Sequence, residues 1–106
     1  MSFLRRIKSA LSTTVELTEE RWKHIKTEHP IMVGKLKKIE ETIIEPDVIK
    51  SSNYDPEVVL FYRFYSEIES GKYITVVVKW SQSRSFILTT YLTDKIKQGA
   101  TLWEKS

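Results

Sequence analysis

The chain holds two histidines and no cysteine. Acid–base chemistry near neutral pH therefore falls to His24 and His29 in the string RWKHIKTEHP. At about 100° per helical residue, Trp22, Ile25 and His29 share one narrow apolar stripe, whereas Arg21, His24 and Glu28 share a polar face. The two imidazoles point in different directions. His29 reads either as a hydrogen-bonded core histidine or as a functional group, and its place in the last helical turn favours the protonated form. His24 reads either as a solvated helix residue or as an acid–base group. Without a thiolate, an HExxH string or paired aspartates, the sequence offers no metal site. It also has no Gly-rich phosphate loop and no GxSxG nucleophile motif, so no cofactor is implied.

The second half supplies cations and aromatic rings. Val58 to Tyr65, Tyr73 to Trp80 and Phe86 to Leu92 are rich in β-branched and aromatic residues and read as strands. Sorting each by alternation gives one nearly apolar set: Val58, Leu60, Tyr62 and Phe64, with Ile74, Val76, Val78 and Trp80, and with Phe86, Leu88, Thr90 and Leu92. The other set combines Val59, Phe61, Arg63 and Tyr65 with Tyr73, Thr75, Val77 and Lys79, and with Ile87, Thr89 and Tyr91. On that face Tyr65, Tyr73 and Tyr91 would stack on RNA bases while Arg63 and Lys79 met phosphates. A solvated sheet face has the same composition, because Thr and Tyr suit strands.

These groups need elements to position them. Thr18 offers an N-cap, with Glu19 and Glu20 in the first turn, and Pro30 ends that helix at His29. A second helix is predicted from about Met32 to Ile44, with Met32, Leu36, Ile39 and Ile43 as its buried stripe. Lys35, Lys37 and Lys38 precede Glu40 and Glu41, which reads as a solvated face. Val15 and Leu17 form a brief extended stretch, and Val48-Ile49 a short strand. Gly71 and Ser81 to Ser85 mark two hairpins, so the three long strands are antiparallel. Thr93 caps a last helical turn that Gly99 closes, and Leu102-Trp103 anchor the tail. The predicted fold is α+β: N-terminal helices packed on one face of a three- to four-stranded antiparallel sheet.

Phe3, Leu4, Ile7, Ala10 and Leu11 fall at helical spacing among Arg5, Arg6 and Lys8. Residues 1–14 are thus read as an amphipathic helical extension, packed on the domain, frayed, or lying on an anionic membrane. Residues 15–106 form the single domain. A chain of 106 residues has room for one core. The net charge of +3 and pI near 9.1 permit a polyanionic partner without requiring one. No apolar run approaches the roughly 20 residues that span a bilayer, and the N-terminus is a poor signal peptide. The absence of cysteine fits a cytoplasmic location.

RWKHIKTEHP (21–30), IEETIIEPDVI (39–49), FYRFY (61–65), KYITVVVK (72–79), FILTTYLTDKIKQG (86–99) and LW (102–103) together resemble the phage-associated members of the barnase–EndoU–colicin–RelE-like nucleases. The likeness runs from about Val15 to Trp103. The pattern W-x-H-I-x-x-x-H followed by F-I-x-T-x-Y is moderately specific, and each piece alone is weak. The resemblance implies N-terminal helices followed by a four-stranded antiparallel sheet. It also implies metal-independent RNA cleavage, in which the 2′-hydroxyl attacks its own phosphate to leave a 2′,3′-cyclic phosphate. His29 or His24 would do acid–base work, Arg63 and Lys79 would hold the phosphate, and Thr89 with Tyr91 would orient it. Tyr91 is the substitute acid. A helix histidine must reach around the sheet edge to join this group, which His29 at the helix end does more easily. The implied setting is a toxin or phage effector acting on RNA and restrained by an antitoxin or immunity protein. The other reading is a non-catalytic RNA-binding or protein-interaction module of the same fold.

Overall fold

The structure, a computed structural model, describes residues 2–106. Strands β1 (Phe3–Lys8) and β2 (Thr14–Thr18) come first, then helix α1 (Glu19–Glu28), a 3-10 turn (Pro30–Met32) and helix α2 (Leu36–Ile44). Strands β3 (Val48–Ser51), β4 (Val58–Tyr65), β5 (Lys72–Lys79), β6 (Ser85–Thr93) and β7 (Thr101–Glu104) follow. All seven strands form one sheet in the order β1-β2-β6-β5-β4-β3-β7. Its pairings are antiparallel except β2 with β6, which run parallel through Val15↔Ser85 and Glu16↔Phe86. This mixed, seven-stranded sheet corrects the predicted three- to four-stranded antiparallel one, and the two helices are short insertions between strands.

Two of the added strands lie at the chain ends. The helical spacing of Phe3, Leu4 and Ile7 does not decide their structure: Phe3 to Lys8 pair with β2 through Ile7↔Val15 and Arg6↔Glu16. Six residues are too few to sustain a helix alone, and the edge of β2 offers them a ladder of hydrogen bonds. Only Ile7 of that strand is fully buried. At the other end Leu102 and Trp103 belong to β7, which pairs with β3 through Ile49↔Trp103. No helical turn forms after Thr93. The segment 94–100 instead crosses the sheet on the side away from the helices. There Ile96 packs on Val48, Leu60 and Tyr62, and the Lys97 N–H donates to the Tyr62 hydroxyl at 3.2 Å.

Thr18 caps α1, its hydroxyl accepting from the Arg21 N–H at 3.1 Å. The single helix predicted from Met32 to Ile44 is divided. Gly34 adopts φ +83°, a left-handed turn that separates the 3-10 segment from α2. Ile25, Met32, Ile39 and Ile43 are completely buried against the sheet, each contributing about 1.5–3 kcal/mol of apolar burial.

Register decides which strand residues meet these helices. Phe61 pairs with Val76, Val59 with Val78 and Arg63 with Ile74. Directly opposed residues share a face, so the odd positions of β4 join the even positions of β5. The helix-covered core is therefore Val59, Phe61 and Tyr65 with Ile74, Val76 and Val78. Leu60, which alternation groups with Val76 and Val78, instead lies on the other face with Val48 and Tyr62. A bulge completes the correction: Val77 pairs with Thr89 and Val78 with Ile87. Leu88 is the extra residue, and Ile87 rather than Leu88 enters the core.

Candidate active site

The register separates the two cations assigned to one polar face. Arg63 lies on the helix side, and Lys79, opposite Val58, lies on the other. Each is engaged locally. Arg63 donates to the Glu45 carbonyl at 2.7 Å and pairs with the carboxylates of Glu41 at 3.5 Å and Glu45 at 3.7 Å. Lys79 pairs with Asp55 at 3.0 Å and Glu57 at 3.3 Å. The Asp55 hydrogen bond holds the Lys79 ammonium above its ordinary range. The Asp55 carboxyl is held low, chiefly by the Glu57 N–H and then by Lys79.

The tyrosines divide in the same way. Tyr65 is buried beneath α2, where its hydroxyl donates to the Lys38 carbonyl at 2.9 Å and lies 3.1 Å from Thr42 Oγ1. Desolvation pushes its phenol well above the usual tyrosine range, and its ring is closed to stacking. Tyr73 is half-buried and packs edge-on against Tyr62 and Phe64. Tyr91 pairs with Thr75 and sits on the face away from α2.

His29 does join this second group. Its backbone N–H closes α1 on the Ile25 carbonyl at 2.7 Å, and the Pro30 turn then packs against β6. β2 follows β6 only as far as Phe86, so among the described residues no strand covers the edge beyond it. The imidazole reaches that edge and meets the Tyr91 ring at 6.0 Å between centroids, with planes 38° apart. Lys97 Nζ lies 5.9 Å from the same ring centroid. No carboxylate among the described residues lies within ion-pairing distance of Lys97.

Two hydroxyls stand near this group. Thr75 Oγ1 and Thr89 Oγ1 are buried without a hydrogen-bond partner among the described residues, and their residues are diagonal neighbours on the Tyr91 face. An unmet buried hydroxyl costs about 1–3 kcal/mol. His24 is exposed and lines a different cleft beside β2. Of the expected site, His29, Thr89 and Tyr91 are thus gathered, while Arg63, Lys79 and Tyr65 lie elsewhere. Lys97 and Thr75 were not singled out from sequence: Lys97 falls in a segment without periodicity, and Thr75 looks like any strand threonine.

Among the described residues no three His, Asp or Glu side chains stand together as a metal site requires, and no helix is long and apolar enough to cross a membrane. Comparison with models of protein families, with curated proteins and with solved structures gave no match.

Proposed function

We propose that the protein is a metal-independent endoribonuclease whose centre is His29, Tyr91 and Lys97. The observation that carries this reading is the meeting of His29 and Tyr91 at the open edge of β6, with Lys97 beside the ring. Cleavage by an internal 2′-hydroxyl needs a base for that proton, an acid for the leaving 5′-oxygen, and a cation for charge developing on phosphorus. His29 takes the proton, Tyr91 returns one to the leaving oxygen, and Lys97 faces the phosphoryl oxygens. The products are a 2′,3′-cyclic phosphate and a 5′-hydroxyl end. The resemblance to barnase–EndoU–colicin–RelE-like nucleases supports the same chemistry. On this reading the chain acts in the cytoplasm as a toxin or phage effector, with an antitoxin or immunity protein as partner.

The second reading, an RNA-binding or protein-interaction module without catalysis, is favoured by the ion pairs that occupy Arg63 and Lys79. Incubation with mixed RNA in excess EDTA separates the two. The enzyme yields cyclic-phosphate ends and leaves DNA intact, whereas the module binds RNA and leaves it whole. Cleavage of DNA, or cleavage only with added Mg²⁺, overturns the proposed mechanism.

A further inference from the structure

Where β2 turns away from β6, a cleft of about 290 Å³ opens between α1 and the start of β6. Phe86 and Ile87 line it on the strand side, and Arg21 and His24, one helical turn apart, line it on the helix side. Glu16 and Arg84 also line it. Glu16 holds Arg84 at 2.6 Å and Arg6 at 3.5 Å, and the Arg84 guanidinium also lies 5.2 Å from the centre of the Phe3 ring. Glu20, in the first turn of α1, lines it as well, so the cleft combines an aromatic surface, a guanidinium held by Glu16, two further basic side chains and two carboxylates.

We infer that this cleft takes one nucleotide of a single-stranded RNA. Phe86 offers a face for the base, and the Glu16 carboxylate an acceptor for a base amino group. Arg21, His24 and Arg84 supply donors for the phosphate. Its position fits a track along α1 and β6. From His24 to His29 the helix rises by about 7.5 Å, so a strand seated in the cleft continues toward Tyr91. The volume admits one nucleotide and not a duplex. This inference rests on the ribonuclease reading for its biological sense, although binding in the cleft is measurable without cleavage.

The test is a titration of the full chain with adenosine 5′-monophosphate, followed by amide NMR shifts, with ribose 5-phosphate as the phosphate-only probe. Saturable shifts are expected at Thr18, Arg21, His24 and Phe86. The nucleotide should bind at least about tenfold tighter than ribose 5-phosphate, as expected for a stacked base. Arg21→Ala should weaken the nucleotide by a similar factor while keeping the dispersion of a folded spectrum. Shifts confined to other surfaces, equal affinity for the two probes, or an unaltered Arg21→Ala titration overturns the subsite. If the cleft binds nucleotide and RNA stays intact, the ribonuclease reading fails and the subsite stands. If RNA is cut at full rate by Arg21→Ala and the cleft shows no shifts, the subsite fails and the ribonuclease reading stands.

Discussion

His29 and Tyr91 approach to 6.0 Å between ring centroids, tying the residue that caps the C-terminus of α1 to a stretch of β6 whose outer edge is uncovered. The contact joins two titratable rings without burying either, since both remain partly open to solvent. His29→Ala should slow RNA cleavage by about 100-fold or more, and Tyr91→Phe should do so through loss of the proton donor alone. His24→Ala should be milder and act on KM. Single-turnover cleavage in EDTA, with urea unfolding as the check on folding, measures all three. Full activity in both His29→Ala and Tyr91→Phe would falsify the assignment.

Salt dependence separates the paired cations from the one beside Tyr91. Lys97→Ala should reduce the slope of log affinity against log salt by about 1 for single-stranded RNA. Arg63→Ala and Lys79→Ala should leave the slope unchanged, because their charges already face Glu41, Glu45, Asp55 and Glu57. A flattened slope in either of these two, with none in Lys97→Ala, reverses the placement of the phosphate path.

The crossover that carries Lys97 depends on Gly99. A Cβ at this position would stand 2.2 Å from the Ser51 carbonyl oxygen, a backbone atom that cannot swing aside. Gly99→Ala should therefore lift segment 94–100 from the sheet, costing about 1–3 kcal/mol and lowering cleavage through Lys97. Urea unfolding and amide exchange across 94–100 report the two effects separately. An unchanged exchange pattern would contradict the close packing there.

Tyr65→Phe removes the hydroxyl that reaches the Lys38 carbonyl and Thr42. Thr42 keeps its own bond to the Lys38 carbonyl at 2.8 Å, so the loss should be only about 1 kcal/mol. Cleavage should be unaffected, because the ring lies under α2. A large fall in activity at unchanged stability would return Tyr65 to the site.

Alkaline pH should unfold the chain through its buried phenols. Desolvation raises Tyr62 and Tyr65 above the usual value of 10.0. A group raised in the folded state contributes fully below its unfolded value and loses that contribution as pH climbs toward the folded one. Stability should hold up to about pH 10 and decline above it. Phenolate absorbance and urea midpoints across that range test the sign. Asp55 works in the opposite direction: its lowered carboxyl contributes above the ordinary carboxylate value and ceases to as pH falls through its folded one.

Local chemistry alone set several features of the chain. The Thr18 cap, the stop at Pro30 and the approximate positions of β3 to β6 follow from caps, a proline and β-branched runs, which act within a few residues. The sequence left both His24 and His29 as candidates, with His29, at the helix end, the one that reaches a sheet edge more easily. Pairing between distant strands was not legible. Alternation divides each strand into two faces but says nothing about which face of β4 shares a side with which face of β5. The Arg63↔Ile74 register and the bulge at Leu88 settle that in three dimensions, and they send Arg63 and Lys79 to opposite sides. The chain ends were hidden for a related reason. Phe3 to Lys8 carry a helical spacing and Thr101 to Glu104 are too short for any period, yet each becomes a strand because β2 and β3 present edges for them to complete.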